Sequence, residues 1–203
     1  MKILKQTELD IASNILKNGG LVAFPTETVF GIGVIFDNKS SYDKLIEVKR
    51  RPPEKPFTLM CSDVSEIEKY AYADARAELL IKKYMPGQFT IILKAKEGLP
   101  SYVVSKEGNV GIRISSLKLV RDLIKKVGKP LLVPSANRSS EPPLLNSEDV
   151  KKEFNNDIDA VIEGESISNT PSTIVLVDEN ITIIREGIIS KEEIFNTLKE
   201  EAK

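Results

Sequence analysis

The stretch that most constrains this chain is Gly19-Gly20-Leu21-Val22-Ala23-Phe24-Pro25-Thr26-Glu27-Thr28-Val29-Phe30-Gly31-Ile32-Gly33. The apolar run from Leu21 to Phe24 reads as a buried strand. Pro25 ends it, because proline has no N–H to give to a central ladder. A polar triplet, Thr26-Glu27-Thr28, then stands between two apolar segments. Two hydroxyls and a carboxylate are costly there unless they close their own turn or face a ligand. The triplet alone leaves both readings open.

The pattern on either side alternates between helix and strand. Thr7 to Asn18 reads as an amphipathic helix, with Thr7 as N-cap and Gly19 just past its end. Val29 to Phe36 reads as a strand, Ser40 to Lys49 as a serine-capped helix, and Phe57 to Cys61 as a short buried strand. Further helices are expected at Asp63 to Tyr70, Asp74 to Tyr84, Leu117 to Val127, Ser147 to Phe154 and Ser190 to Lys199. Strands are expected at Phe89 to Ala95, Val110 to Ile114, Pro130 to Val133, Val161-Ile162, Thr173 to Val177 and Ile181 to Ile184, the last two as a hairpin. No linker, repeat or composition break interrupts this series. One α/β domain over residues 1–203 is therefore expected, with a mixed parallel and antiparallel sheet.

Composition removes several chemistries. The chain has no histidine and one cysteine, Cys61. No Ser-His or Cys-His pair, His-based zinc site or internal disulfide can form. Any metal would be held by oxygen, as magnesium is. The net charge of −1 gives no global polycation, so an anion site must come from local clusters. No run approaches the length of a membrane span and no signal-peptide core is visible, so a cytoplasmic location is expected. A phosphate-binding G-x-x-x-x-G-K loop is missing, and Gly31-Ile32-Gly33 lacks the third glycine of a dinucleotide fingerprint.

Four cations stand out by position. Lys49 and Arg51 flank a loop stiffened by Pro52, Pro53 and Pro56, Arg113 interrupts an apolar strand, and Arg185 sits at a strand end. A charge within a buried strand needs a partner or a cleft. For Arg113 the competing reading is a structural ion pair with an acidic residue; for Lys49 and Arg51 it is a solvated basic loop. Guanidinium forks together with hydroxyls and amides suit phosphate. The hydroxyl and amide suppliers are Thr26, Thr28, Thr58, Ser135, Asn137, Ser172 and Thr173, most of them just past expected strand ends. Each also has a local use: Ser135 and Asn137 in a turn after Pro134, Ser172-Thr173 at a strand start, Glu27 in a turn or beside a lysine. Without histidine, chemistry here rests on positioning and electrostatics, which suits phosphoryl or nucleotidyl transfer.

Taken as an ordered set, several segments resemble the YrdC/TsaC family of threonylcarbamoyl-AMP synthases. They are Gly19 to Gly31, Lys49-Arg50-Arg51-Pro52 with Lys55-Pro56, Pro86-Gly87-Gln88-Phe89-Thr90, Val110-Gly111-Ile112-Arg113-Ile114, Pro134-Ser135-Ala136-Asn137, Ser172-Thr173-Ile174-Val175 and Ile184-Arg185-Glu186-Gly187. The resemblance implies a single YrdC-like domain, a twisted open mixed sheet flanked by helices, with a concave, positively charged cleft. It also implies a reaction: L-threonine, bicarbonate or carbon dioxide, and ATP give threonylcarbamoyl-adenylate and pyrophosphate, the first step of t6A modification of tRNA. Carried over, Thr26, Thr58, Arg113 and Ser172 form the threonine end. Lys49, Arg51, Ser135, Asn137 and Arg185 form the ATP end, and Lys49, Arg51 and Arg113 are the catalytic cations. Magnesium would be held by phosphate oxygens. The implied partners are tRNA or double-stranded RNA and a downstream threonylcarbamoyl-transferase complex.

Three departures from the family pattern stand out. Ser115 follows Arg113-Ile114 where the family often has proline, Ser139-Ser140 replaces Ser-Gly, and Pro142-Pro143-Leu144-Leu145 lacks a hydroxyl the family carries. The segments Phe57 to Ser65 and Gln88 to Thr90 are closer to the YciO branch, so a YciO-like RNA- or nucleotide-binding protein without synthase activity is the alternative. That branch typically loses the Lys-x-Arg and Ser-x-Asn elements, which stand here as Lys49/Arg51 and Ser135/Asn137. A carbamoyl-transfer domain of the hydrogenase-maturation type is a third reading. It is opposed by the missing acylphosphatase and zinc-finger segments.

Overall fold

A computed structural model describes residues 1–52 and 56–200 of the chain. Its strands form one sheet in which β1 (Lys2–Leu4), β9 (Ala160–Ile162), β2 (Val22–Phe24), β3 (Gly31–Ile35), β8 (Leu131–Leu132), β4 (Leu59–Cys61), β7 (Asn109–Ile114), β6 (Phe89–Ala95), β10 (Thr173–Val177) and β11 (Ile181–Arg185) lie side by side. A short β5 (Ala71–Tyr72) pairs with β6 off that path. Parallel pairs (β1 with β9, β2 with β9, β4 with β7, β6 with β10) occur together with antiparallel ones, so the sheet is mixed as expected. β10 and β11 form the terminal hairpin.

Two helices, α1 (Leu9–Lys17) and α4 (Lys118–Val127), cover one face. Leu9, Ala12 and Leu16 of α1 and Val120, Leu123, Ile124 and Val127 of α4 pack with Val22, Phe24, Ile35, Met60, Leu131 and Val133. No residue of β6, β7, β10 or β11 belongs to that cluster. The opposite face carries α2 (Lys39–Lys49), α3 (Ala75–Tyr84), α5 (Ser147–Phe154) and α6 (Lys191–Glu200) over the larger core. Helices thus blanket one side of the sheet, but the α1/α4 side only part-way across. The bare remainder becomes a cleft.

Helix ends show what decided the boundaries. Asn38, not a serine, caps α2, its Oδ1 accepting from Ser41 N at 3.1 Å. Thr7 does not cap α1: the cap is Glu8, whose carboxylate reaches back to Lys5 N at 2.7 Å. Gly19 does close that helix, at φ +81°. Asp63 to Tyr70 tightens into a 3₁₀ helix over Val64–Lys69. At α6, Ser190 and Glu193 form the reciprocal cap expected of a serine followed three residues later by glutamate. The strands β1 and β5, three and two residues long, were not anticipated; runs that short carry no period.

Arg138 joins three elements. Its guanidinium meets Glu153 at 2.8 Å and Asp157 at 2.5 Å, donates to the Val48 carbonyl, and lies 4.5 Å from the Phe154 ring centre. Both acids are partly exposed, which reduces what the pairs contribute. The buried donor to Val48 counts for more. Arg138→Ala is expected to cost about 2 kcal/mol of folding free energy, measured by urea unfolding; no change would show that the network merely decorates the surface.

Candidate active site

The triplet after β2 folds back on itself. The Thr26 hydroxyl donates to Val29 O at 2.8 Å and accepts from Thr28 N at 3.1 Å, so it closes its own turn. Glu27 points inward and meets Arg113 Nη2 at 2.7 Å, with side chains 3% and 9% exposed. Arg113 therefore has the acidic partner its buried strand position called for, and that partner comes from the triplet. Nη2 also donates to Thr28 Oγ1 at 3.0 Å, while the second Glu27 oxygen accepts from Ser115 Oγ. Arg113 Nε is buried with no partner among the described residues. A buried donor left open on a charged fork is costly, and this one belongs to a side chain that lines a cleft.

That cleft, of about 640 Å³, opens on the face α1 and α4 leave bare. Arg51, Arg113 and Arg185 line it, together with Glu107 and Glu141. Among the expected residues Thr28, Thr58, Ser135, Asn137 and Ser172 line it as well. Ser172 Oγ is 2.8 Å from Thr90 Oγ1. Arg185 clasps the Ser172 carbonyl through Nε and Nη2 at 3.0 and 2.9 Å. Burial, and then the neighbouring charge of Arg113, lower the Arg185 pKa. Two guanidiniums close enough to repel one another favour an anion between them. Arg51 stacks 4.8 Å from the Phe57 ring centre, and burial lowers its pKa too.

Three expected residues sit behind the wall instead of on it. Thr26 is spent in its turn. Thr173 donates to Ile189 O and accepts from Gly187 N and Ile189 N, stitching the chain behind the hairpin. Lys49 is 1% exposed, and its ammonium nitrogen reaches the carbonyls of Ser135 and Asn137, each at 2.6 Å. The Ser135 hydroxyl donates to Asn137 Oδ1, and Asn137 Nδ2 reaches the carbonyls of Arg138 and Glu141. This loop is thus tied down by its own side chains from above and by Lys49 from below. Of the proline-stiffened loop, Pro53 and Lys55 lie outside the described residues.

Ser115, Thr90 and Gln88, whose Nε2 donates to Glu27 O at 2.9 Å, were not singled out as site residues. Alternation was the available signal for two of them. Ser115 falls two residues after Arg113, and Thr90 faces the cleft from the neighbouring strand. Cys61 is buried, and burial pushes its thiol well above the ordinary range, so it offers no thiolate.

A family model described as "Telomere recombination" (Sua5/YciO/YrdC) matches residues 14–187. The chain belongs to the Sua5/YciO/YrdC family. A Methanocaldococcus jannaschii member, provisionally assigned as a threonylcarbamoyl-AMP synthase, is 37% identical over 183 residues, covering 89% of this chain and 86% of that one. The uncharacterized Escherichia coli protein YciO is 28% identical over 187 residues, 91% of each chain. Its crystal structure superposes with a TM-score of 0.85 at 26% identity, covering 92% of this chain and 95% of YciO. The P. abyssi Sua5 structure complexed with L-threonine superposes at 0.93 and 27% identity, over 98% of this chain and 62% of that one. This family member therefore spans less than two thirds of that Sua5. No described helix is long and apolar enough to cross a membrane.

Burial, reinforced by Arg51 and Arg138, lowers the Lys49 pKa from 10.5 to about 7. The unfolded chain keeps that proton to higher pH than the folded one, so stability should rise with pH between these two values. In Lys49→Met this rise should flatten, read as urea unfolding at about pH 6.5 and about pH 9. Identical slopes in the two proteins would mean that Lys49 does not titrate in that window.

Proposed function

We propose that this protein is a threonylcarbamoyl-AMP synthase, joining L-threonine, bicarbonate or carbon dioxide, and ATP into threonylcarbamoyl-adenylate with release of pyrophosphate. The observation that carries the reading is the convergence of Arg51, Arg113 and Arg185 with Thr58 and Ser172 on one cleft, in a chain without histidine or a usable thiol. Such a site has cations and hydroxyls to position anions but lacks the usual histidine or cysteine nucleophiles. The reaction fits it, because the substrates supply their own. Threonine's amine attacks the one-carbon unit to give a carbamate, with loss of water when bicarbonate is the source. A carbamate oxygen then attacks the α-phosphorus, and pyrophosphate leaves. The Sua5 solved with L-threonine and the M. jannaschii relative support the substrate assignment.

In this reading Arg113 holds threonine's carboxylate, with Thr58 and Ser172 beside it. Glu27 holds Arg113 in place from behind and is itself held by the Ser115 hydroxyl. Arg51 and Arg185 face the nucleotide's phosphates, Ser135 and Asn137 form the loop against them, and Lys49 supports that loop from beneath. Thr26 acts through the turn that sets Thr28 and Glu27. If ATP arrives as its magnesium complex, the ion would help offset charge on the leaving pyrophosphate, beside Arg51 and Arg185. The product would pass to a threonylcarbamoyl-transferase acting on tRNA.

Pyrophosphate release from ATP and threonine should require bicarbonate. Arg113→Ala should raise the threonine KM at least about tenfold, with less effect on ATP. Lys49→Ala and Arg51→Ala should mainly impair ATP use. The opposite split would overturn this division of the cleft. A second reading follows from YciO, which matches both chains almost end to end: nucleotide or RNA binding without turnover. Nucleotide binding with no threonine binding and no bicarbonate-dependent pyrophosphate would favour it.

A further inference from the structure

Gly111 lies in the middle of β7, two residues before Arg113 and so on the same, cleft-facing side. A glycine there weakens a strand unless something needs it. Ten of the eleven glycines have a reason within the protein: five hold a positive φ, and at Gly20, Gly31, Gly33, Gly87 and Gly187 an added Cβ would collide with a neighbour at 2.3 to 2.7 Å. Gly111 has neither reason. Its φ is ordinary, and a Cβ would meet Ile92 Cγ1 at 3.6 Å, Thr90 Cγ2 at 3.8 Å and Thr58 Oγ1 at 4.0 Å, all normal contacts. The fold accepts a side chain there; the cleft would lose floor space.

Register shows what that floor is. Gly111 pairs with Ile92, and Ile92 with Leu176, so one row across three strands presents bare backbone and two aliphatic side chains. The next row, about 7 Å along the strands, carries Arg113 and Thr90, with Arg185 beyond Ile174. On the other side of the apolar row stands Asn109, which also lines the cleft. A flat apolar strip between an anion-holding row and an amide has the layout of a nucleoside monophosphate: phosphate, ring, hydrogen-bonding ring edge.

We infer that Gly111 is a specificity-determining residue, its bare backbone forming with Ile92 and Leu176 the floor on which the planar ring of a bound nucleotide lies. The inference rests on the cleft being the nucleotide site and adds which surface meets the base. The phosphate end is served by Arg185 and Arg51, with Arg113 kept for threonine's carboxylate, so substitution at Gly111 separates ring recognition from anion recognition. An amino-acid side chain lying on the same spot would instead tie Gly111 to threonine.

The test is calorimetric titration of AMP, inorganic pyrophosphate and L-threonine into wild type, Gly111→Ala and Gly111→Val, with the melting temperature of each. Both variants should melt no lower than wild type. AMP affinity should fall at least about tenfold in Gly111→Val and less in Gly111→Ala, with pyrophosphate and threonine affinities within about twofold of wild type. Unchanged AMP affinity in a folded Gly111→Val would overturn the inference, as would loss of threonine affinity in place of AMP affinity, or wild type that fails to bind AMP. The outcome is separable from the synthase reading. AMP binding that depends on Gly111 in a protein releasing no pyrophosphate sinks the synthase and keeps the floor. Full synthase activity in Gly111→Val does the reverse.

Discussion

The arrangement of this molecule depends on one buried ion pair, Glu27 with Arg113. Each side chain would be expensive to bury alone. Together, with Ser115 and Thr28 taking up further bonds, they fasten the turn after β2 to the end of β7 across three intervening strands, β3, β8 and β4. The pair does not exhaust Arg113, whose buried Nε has no partner among the described residues. The ion pair thus fixes the guanidinium through Nη2 while the side chain still lines the cleft.

Around this pair the cleft is built by difference. Helices α1 and α4 stop short, and the sheet continues beyond them through β7, β6, β10 and β11. The wall is made of turns at strand ends, where side chains are already committed to one another: Thr26 to its turn, Ser135 and Asn137 to theirs, Arg185 to the Ser172 carbonyl. These commitments order the groups before a ligand arrives, so less conformational freedom remains to be lost on binding.

Much of this could be read in the sequence. Pro25 ended β2 where expected, and Phe89–Ala95, Thr173–Val177 and Ser147–Phe154 agree residue for residue with the pattern. Helix caps were less legible, because Thr7, Glu8, Asn38 and Ser40 are all competent and long-range packing decides among them. At the site, the kinds of residue were readable but not their depth. A buried lysine on two carbonyls and a lysine on a phosphate look alike in sequence; only the packing of α2 under the loop after β8 distinguishes them. The partner of Arg113 was open for the same reason: 86 residues separate it from Glu27.

The half-covered sheet has a kinetic side. Ile184 is 53% exposed at its margin. A pocket walled by an open sheet face admits large, multiply charged molecules. It shields poorly, however, against bulk solvent. If a mixed anhydride such as a carbamoyl adenylate is formed there, hydrolysis competes with every moment of residence. Its survival would then depend on prompt capture by whatever consumes it, and throughput would be governed by encounter between proteins as much as by chemistry in the cleft.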